Sequence, residues 1–132
     1  LLKEWCYKQQ SCLWRETTGY RQAKALLPGS CRRLSKELIK LPRRDVRAVV
    51  GLLSGHAPVA RHLHLLKLAD SPVCPKCGLE DETTAHVICR CSVLAGIRNK
   101  VFGKPILGVY EIQGQSMYDL ARFVRLTGCF DW

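Results

Sequence analysis

The sequence lacks the features that would carry a chain into or across a membrane. No apolar run reaches the roughly 18 residues that a membrane-spanning helix needs, and no charged-then-apolar segment of the secretory type opens the chain. Methionine is nearly absent, since Met117 is the single one and the chain begins at Leu1. We therefore expect a piece of a longer intracellular polypeptide, located in the nucleus or the cytoplasm.

Acidic residues are also scarce. The 132 residues include 11 Asp and Glu against 21 Lys and Arg, so the formal net charge is +10. Eleven of the basic residues lie within residues 21–67, where the only acids are Glu37 and Asp45. A surplus of one sign that is concentrated in one stretch indicates a polyanionic partner. The other acids are mostly isolated, and we expect the triplet at residues 80–82 to neutralise basic neighbours.

Apolar residues, in contrast, make up 47% of the chain, which is ordinary for one globular domain. Their spacing is mostly helical. The clearest stripe is Val46, Val49, Val50 and Leu53. Turn residues such as Pro28 separate the helical segments. We expect helices over residues 1–15, 20–27, 31–41 and 46–53, one from Pro58, one from Thr83 or Thr84 to about Val101, and one over 116–127, with an irregular stretch at 108–115.

Cysteine is abundant, with eight in the chain. The spacing Cys74-x2-Cys77-x8-His86 is followed closely by Cys89 and Cys91. Two cysteines separated by two residues form a tight loop. Such a loop commonly needs a residue in the left-handed conformation after the second cysteine, and Gly78 stands at that position. Three thiolates and one imidazole complete a closed tetrahedral zinc site. A closed site is structural, because it leaves no position for an activated water.

The spacing alone leaves the fourth ligand open. Positions five apart on an ideal helix lie about 140° apart, which disfavours Cys91 as the partner of His86. Cys89 is three residues from His86 and lies nearer the same helix face. A different interpretation of the four cysteines is core thiols or a pair of disulfides. The predicted fold class is mainly α, a small helical domain with an inserted zinc knuckle. The knuckle would consist of a short hairpin that leads into a helix.

The basic stretch offers a candidate surface for RNA or DNA. Its arginines suit phosphate because a guanidinium is a planar fork of donors. The predicted nucleic-acid-binding residues are Arg32, Arg33, Lys36, Lys40, Arg43, Arg44, Arg47 and Arg61. We expect contacts to the backbone without base-specific readout, and a solvated helix face is the alternative. The residues His56, His62 and His64 fit surface positions better than a second metal cluster.

Several segments resemble the region beyond the ribonuclease H domain in polyproteins of jockey-like non-LTR retrotransposons. They are residues 20–27 (YRQAKALL), 49–58 (VVGLLSGHAP), 61–64 (RHLH), 74–78 (CPKCG) with Glu82, Thr83, His86 and Cys91, and 120–128 (LARFVRLTG). The resemblance covers nearly the whole chain from about Trp14 onward. Two positions, Ser54 and Ser92, depart from the threonine and the proline that are usual in the family. The resemblance favours Cys91 over Cys89. The predicted zinc ligands are Cys74, Cys77, His86 and Cys91.

The resemblance implies the C-terminal module of a reverse transcriptase polyprotein, whose knuckle helps to hold element RNA or target DNA. Residues 1–15 would be the last helix of a truncated ribonuclease H domain, and residues 16–132 the helical module with its knuckle at 74–91. Ribonuclease H chemistry needs clustered carboxylates around Mg²⁺, so we expect no enzymatic activity from this fragment alone. The alternative is a zinc-stabilised docking module that contacts the polymerase or ribonuclease H part of the polyprotein through Trp5, Trp14 and an apolar face.

Overall fold

The chain folds into a set of mostly short helices. The computed structural model describes residues 1–27 and 29–130. The α-helices in these ranges are α1 (Leu2–Glu16), α2 (Arg21–Leu26), α3 (Arg32–Leu38), α4 (Arg43–Ser54), α5 (Ala60–Leu65), α6 (Ala95–Phe102), α7 (Val109–Ile112) and α8 (Met117–Thr127). The prediction of a mainly helical fold is confirmed. Pro28, which was predicted to end the second helix, and the last two residues of the predicted 16–132 module lie outside the described residues.

The prediction of one continuous helix up to about Val101 is wrong. The chain instead forms a π-helical segment at His86–Arg90 and a 3-10 turn at Ser92–Leu94, and α6 begins only after them. The break lies at Cys91, whose backbone is extended with φ −52° and ψ 119°. Helical periodicity does not reveal such a break, because apolar residues continue on both sides of it. Part of the stretch at 108–115, predicted to be irregular, is also helical, since α7 occupies it.

The core is built around α4 and α8, which pack against each other. On α4 the side chains of Val49 and Leu52 are fully buried, and on α8 those of Leu120 and Phe123 are. Helices α3 and α6 also pack against α8. Because apolar burial is the main favourable term in folding, α8 is the element that holds the N-terminal helices and the cysteine-rich segment in one body.

The stripe predicted for α4 is correct in part. Val49 and Leu53 are buried as expected, but Val50 is 45% exposed and Leu52 is fully buried in its place. The buried positions follow the spacing i, i+3, i+4 of a helix that presents one face to a core. The inward face is therefore rotated slightly from the predicted one, toward the side of Leu52.

The cysteine-rich segment belongs to the same core. The apolar cluster runs from α4 and α8 to Cys74, Ile88, Cys91 and Leu94 without interruption. The segment is therefore mounted on the helical body and is not a separate lobe. A change that loosens it exposes part of the same apolar cluster.

Helix α1 lies at the edge of the body. None of its residues is buried, and Trp5 is 59% exposed. Its C-terminal end is attached through Trp14, whose indole Nε1 donates a hydrogen bond of 2.7 Å to the carbonyl of Leu27. The division between residues 1–15 and 16–132 stays a prediction. Among the described residues, no helix combines the length and the apolar character needed to cross a bilayer.

Candidate metal centre

The first two cysteines of the predicted site lie in a tight turn. An isolated antiparallel bridge joins Val73 and Asp81, and the amide of Cys74 donates a hydrogen bond of 2.8 Å to the carbonyl of Glu80. Gly78 has a φ of 65°, the left-handed conformation predicted for it. A short hairpin was predicted here, but within the described residues this single bridge forms and paired strands do not. The bridge folds residues 73–81 back toward the core.

A π-helical turn determines which later cysteine approaches His86. The amide of Cys91 donates a hydrogen bond of 2.8 Å to the carbonyl of His86. This is an i to i+5 bond, which closes a wider turn than that of an α-helix. Positions five apart therefore return to the same side of the turn, although they diverge on an ideal α-helix. The objection that helix geometry raises against Cys91 thus does not apply to this segment.

The structure brings the four predicted ligands together. The ligand atoms of Cys74, Cys77, His86 and Cys91 all lie within 4.8 Å of one another. The Sγ atoms of Cys74 and Cys91 are 4.0 Å apart, and Cys77 Sγ lies 3.4 Å from Nε2 of His86. Thiolates around tetrahedral zinc, with Zn–S bonds of 2.3 Å, are separated by about 3.8 Å. The cluster therefore has the dimensions of a closed tetrahedral metal site.

Cys89 is not part of this cluster. Its side chain is only 1% exposed and packs in the apolar core. Burial raises the pKa of its thiol, which keeps it protonated and unreactive. All eight cysteines are free, and the 4.0 Å between the sulfurs of Cys74 and Cys91 is far longer than a disulfide bond. The structure gives the disulfide interpretation no support.

Without metal, two cysteines of the cluster differ in how readily their thiols ionise. A hydrogen bond from the amide of Leu79, joined by that of Glu80, lowers the pKa of Cys77. Burial raises the pKa of Cys91 to about 11, although the amide of Val93 acts in the opposite direction. Cys91 therefore keeps its proton at neutral pH. A bound metal cation supplies the positive charge that allows a buried thiol to ionise.

The far side of the His86 ring faces an acidic residue. His86 is 1% exposed, and its Nδ1 lies 3.2 Å from Oε1 of Glu80, at an angle that leaves Nδ1 without a hydrogen bond. The second oxygen of Glu80 pairs with Arg90 at 3.2 Å, and this contact lowers the pKa of Glu80. A carboxylate behind a histidine commonly orients the ring of a metal ligand. The other two acids of the triplet, Asp81 and Glu82, also pair with basic neighbours, as predicted.

Arg98 is a residue of this region that the sequence pattern does not single out. It is fully buried, and its guanidinium donates hydrogen bonds to four backbone carbonyls around the π-helical segment. The acceptors are Ile88 at 2.5 Å, Pro105 at 2.5 Å, Val87 at 3.0 Å and Cys91 at 3.1 Å. Burial lowers the pKa of Arg98, while Cys89 and Cys91 raise it. One signal in the sequence could have indicated this burial. Arg98 lies four residues after Leu94, which was predicted to face inward, and positions four apart share a helix face.

The eight predicted nucleic-acid-binding residues are all exposed. They lie on α3, on the connection to α4, on the first turns of α4 and on α5. Arg33 pairs with Glu37 at 3.1 Å, Arg61 pairs with Asp81 at 3.0 Å, and Arg32 lies over the ring of Tyr7 at 4.4 Å. Lys36, Lys40 and Arg43 make no ion pair with any residue that the structure describes. Binding of nucleic acid by this surface stays a prediction.

The remaining histidines lie away from the cysteine cluster. The rings of His56 and His62 meet edge to face at 5.5 Å, and Nδ1 of His64 lies 3.0 Å from the carbonyl of Ala69. Within residues 1–27 and 29–130, the group at residues 74–91 is the one cluster of metal-ligating side chains. These contacts agree with the predicted surface positions of the three histidines.

Part of the chain is similar to a known retroelement protein. Over 53 residues it is 42% identical to the "Retrovirus-related Pol polyprotein from type-1 retrotransposable element R1 2" of Nasonia vitripennis. The matched region is 40% of this chain and 13% of that protein, so the chain spans a small part of its relative. The similarity supports an origin in a retrotransposon polyprotein. No protein-family profile matches the chain, and no solved structure matches it.

Proposed function

We propose that the chain is a zinc-stabilised nucleic-acid-binding module of a retroelement reverse transcriptase polyprotein, and that it is not catalytic on its own. The observation that carries the proposal is the cluster of Cys74, Cys77, His86 and Cys91, whose ligand atoms lie within 4.8 Å of one another. A set of three sulfurs and one imidazole nitrogen favours zinc among the common metals.

The motif resemblance and the similarity to the Nasonia vitripennis polyprotein support the retroelement part of this proposal. The resemblance of the segments quoted above supports placing the chain in the region that follows ribonuclease H in jockey-like elements. The thiols of the cluster need a reducing compartment to remain metal ligands. The nucleus and the cytoplasm, where a nucleic-acid-binding module would act, are such compartments.

Zinc has a structural role in the proposed module. It cross-links the turn that carries Cys74 and Cys77 to the π-helical segment that carries His86 and Cys91. Both pieces pack on the core that supports α3 and α4, so the bound ion also stiffens the body behind the basic surface. That surface follows the phosphates, and the closed metal site activates no water.

We expect zinc uptake at pH 7 to release protons. The buried Cys91 thiol, with its pKa of about 11, must lose a proton to become a ligand. The apparent zinc affinity therefore rises with pH and falls as the pH is lowered, by about tenfold per pH unit for each proton released. Calorimetric titration in two buffers of different ionisation heat counts those protons, with Cys12→Ser as a control outside the cluster. Equal apparent enthalpies in the two buffers would contradict this prediction.

We expect binding to duplex nucleic acid to depend steeply on salt. If the basic surface neutralises about five phosphates, the plot of log affinity against log salt concentration has a slope of about −4.5. Fluorescence anisotropy on a labelled duplex gives this slope. The double variant Lys40→Gln/Arg43→Gln should make the slope shallower by about 2, because two phosphate contacts are lost.

The matched control for this experiment is Lys100→Gln/Arg122→Gln. It removes the same charge from exposed positions outside the basic stretch, so its slope should stay close to that of the original chain. A slope near about −1 for the original chain, or equal losses in the two double variants, would refute binding through the basic surface.

A second candidate function is docking onto the polymerase or ribonuclease H part of the same polyprotein. The observation that favours it is an apolar groove of about 420 Å³ lined by Trp14, Tyr20 and Leu38, next to the unburied helix α1. The two functions are separated by Lys40→Gln/Arg43→Gln, because this variant should lose affinity for nucleic acid and keep its affinity for the ribonuclease H fragment.

A further inference from the structure

Arg98 is a fully buried cation that makes no ion pair with any carboxylate in the described part of the chain. Its hydrogen-bond partners are neutral carbonyls, including those of Ile88 at 2.5 Å and Cys91 at 3.1 Å. Carbonyl dipoles solvate a guanidinium, but they carry no net charge. A buried charge without a counter-charge is strongly unfavourable, so a balancing anion is expected nearby.

The candidate metal centre supplies that anion when it is loaded. Three thiolates and a neutral imidazole around a divalent zinc ion have a net charge of −1. The buried charge of Arg98 therefore finds its balance in the loaded centre, to which it is linked through the backbone of Cys91 itself.

Arg98 also fixes the shape of the segment that carries two of the ligands. Its Nε and Nη2 atoms donate to Ile88 and Val87, which directly follow His86. Another bond from Nη2 reaches the carbonyl of Cys91, and Nη1 reaches Pro105 beyond α6. One side chain thus connects the wide π-helical turn, the last ligand and the chain after α6.

We propose that Arg98 is the buried counter-ion of the zinc-loaded centre and the positioning residue that holds His86 and Cys91 in register. The inference rests on the proposed zinc site. It predicts that zinc and Arg98 stabilise each other, whereas a simple cap for backbone carbonyls would stabilise the fold equally with and without metal.

The test is the zinc affinity of the purified chain, measured by competition with a chelator. Arg98→Met, which removes the charge and all the donors, should weaken zinc binding by about 10- to 100-fold. Arg98→Lys, which keeps the charge, should recover most of that loss. The control Leu94→Ala removes a buried neighbour without touching charge, so it should lower the melting temperature and leave zinc affinity within about threefold.

A second background separates charge from hydrogen bonding. Cys77→His converts the centre to two cysteines and two histidines, which with zinc has no net charge. In that background the loss caused by Arg98→Met should shrink to a few-fold. If Arg98→Met does not fold, Arg98→Gln, which is neutral but still donates to carbonyls, takes its place. An equal loss in both backgrounds would show that Arg98 is only a carbonyl cap.

The failures of the two proposals are distinguishable. If the original chain binds no zinc, both the proposed site and the role of Arg98 are wrong. If the chain binds zinc and the Arg98 variants bind it equally well, the site stands and the counter-ion is refuted. Cobalt loading provides an independent readout, because its visible absorption should change in Arg98→Met and remain nearly unchanged in Leu94→Ala.

Discussion

Replacing Cys91 with serine is expected to weaken zinc binding so far that a competing chelator removes the ion, whereas Cys89→Ser is expected to keep one zinc bound under the same conditions. Structural zinc contributes roughly 10–16 kcal/mol in small metal-binding peptides, so one ligand of four accounts for on the order of 3 kcal/mol. A loss of that size weakens zinc binding by more than about 100-fold. Native mass spectrometry under reducing conditions, with a competing chelator that leaves the original chain loaded, counts the zinc in each variant.

The contrast between the two variants follows from the geometry. The Cys91 sulfur lies 4.0 Å from that of Cys74 and within the cluster, while Cys89 is buried among apolar side chains. Cys89→Ser therefore places a hydroxyl in the core, which costs about 1–3 kcal/mol in stability, and it leaves the ligand set complete. Loss of zinc in Cys89→Ser with retention in Cys91→Ser would exchange the fourth ligand. Absence of zinc from the unmodified reduced chain would overturn the proposed site.

The ligand set illustrates what spacing predicts and what it leaves open. The turn with Cys74 and Cys77 is defined by local chemistry, and the left-handed Gly78 could be predicted from its position alone. The choice between Cys89 and Cys91 depends on whether the following segment is an α-helix or a π-helix. That choice is made by the hydrogen bonds and packing of the segment, which no periodicity in the sequence reports.

Helices with strong amphipathic patterns were predictable, and those that depend on tertiary contacts were not. Both α4 and α8 lie close to their predicted positions, because each has a continuous apolar face and a glycine at its C-terminal end. The continuous helix predicted through Cys91 does not form. Arg98 donates hydrogen bonds to carbonyls on both sides of this break. The sequence alone predicts a surface position for it, because arginine is rarely buried and needs partners that only the fold provides.

The second large effect is expected in the core. Leu120→Ala should lower the free energy of unfolding by about 2–5 kcal/mol, because the side chain is fully buried on α8 and its loss leaves a cavity. Leu126→Ala is the matched control on the same helix. Its side chain is 45% exposed, so its effect should stay within about 0.5 kcal/mol. Denaturant unfolding of the zinc-loaded chain measures both.

The same pair of variants tests how the core and the metal centre are connected. All four ligands lie within 18 residues of chain, from Cys74 to Cys91, so Leu120→Ala should still bind one zinc below its unfolding transition. Its cavity lies on α8, which packs on α6 directly behind the ligand-bearing segment. Zinc removal should therefore destabilise Leu120→Ala further, to the point where the metal-free variant is largely unfolded at 37 °C. If zinc removal leaves the stability of Leu120→Ala unchanged, the cluster is not coupled to the core, and the shared apolar packing seen around Cys74 and Cys91 contributes little to folding.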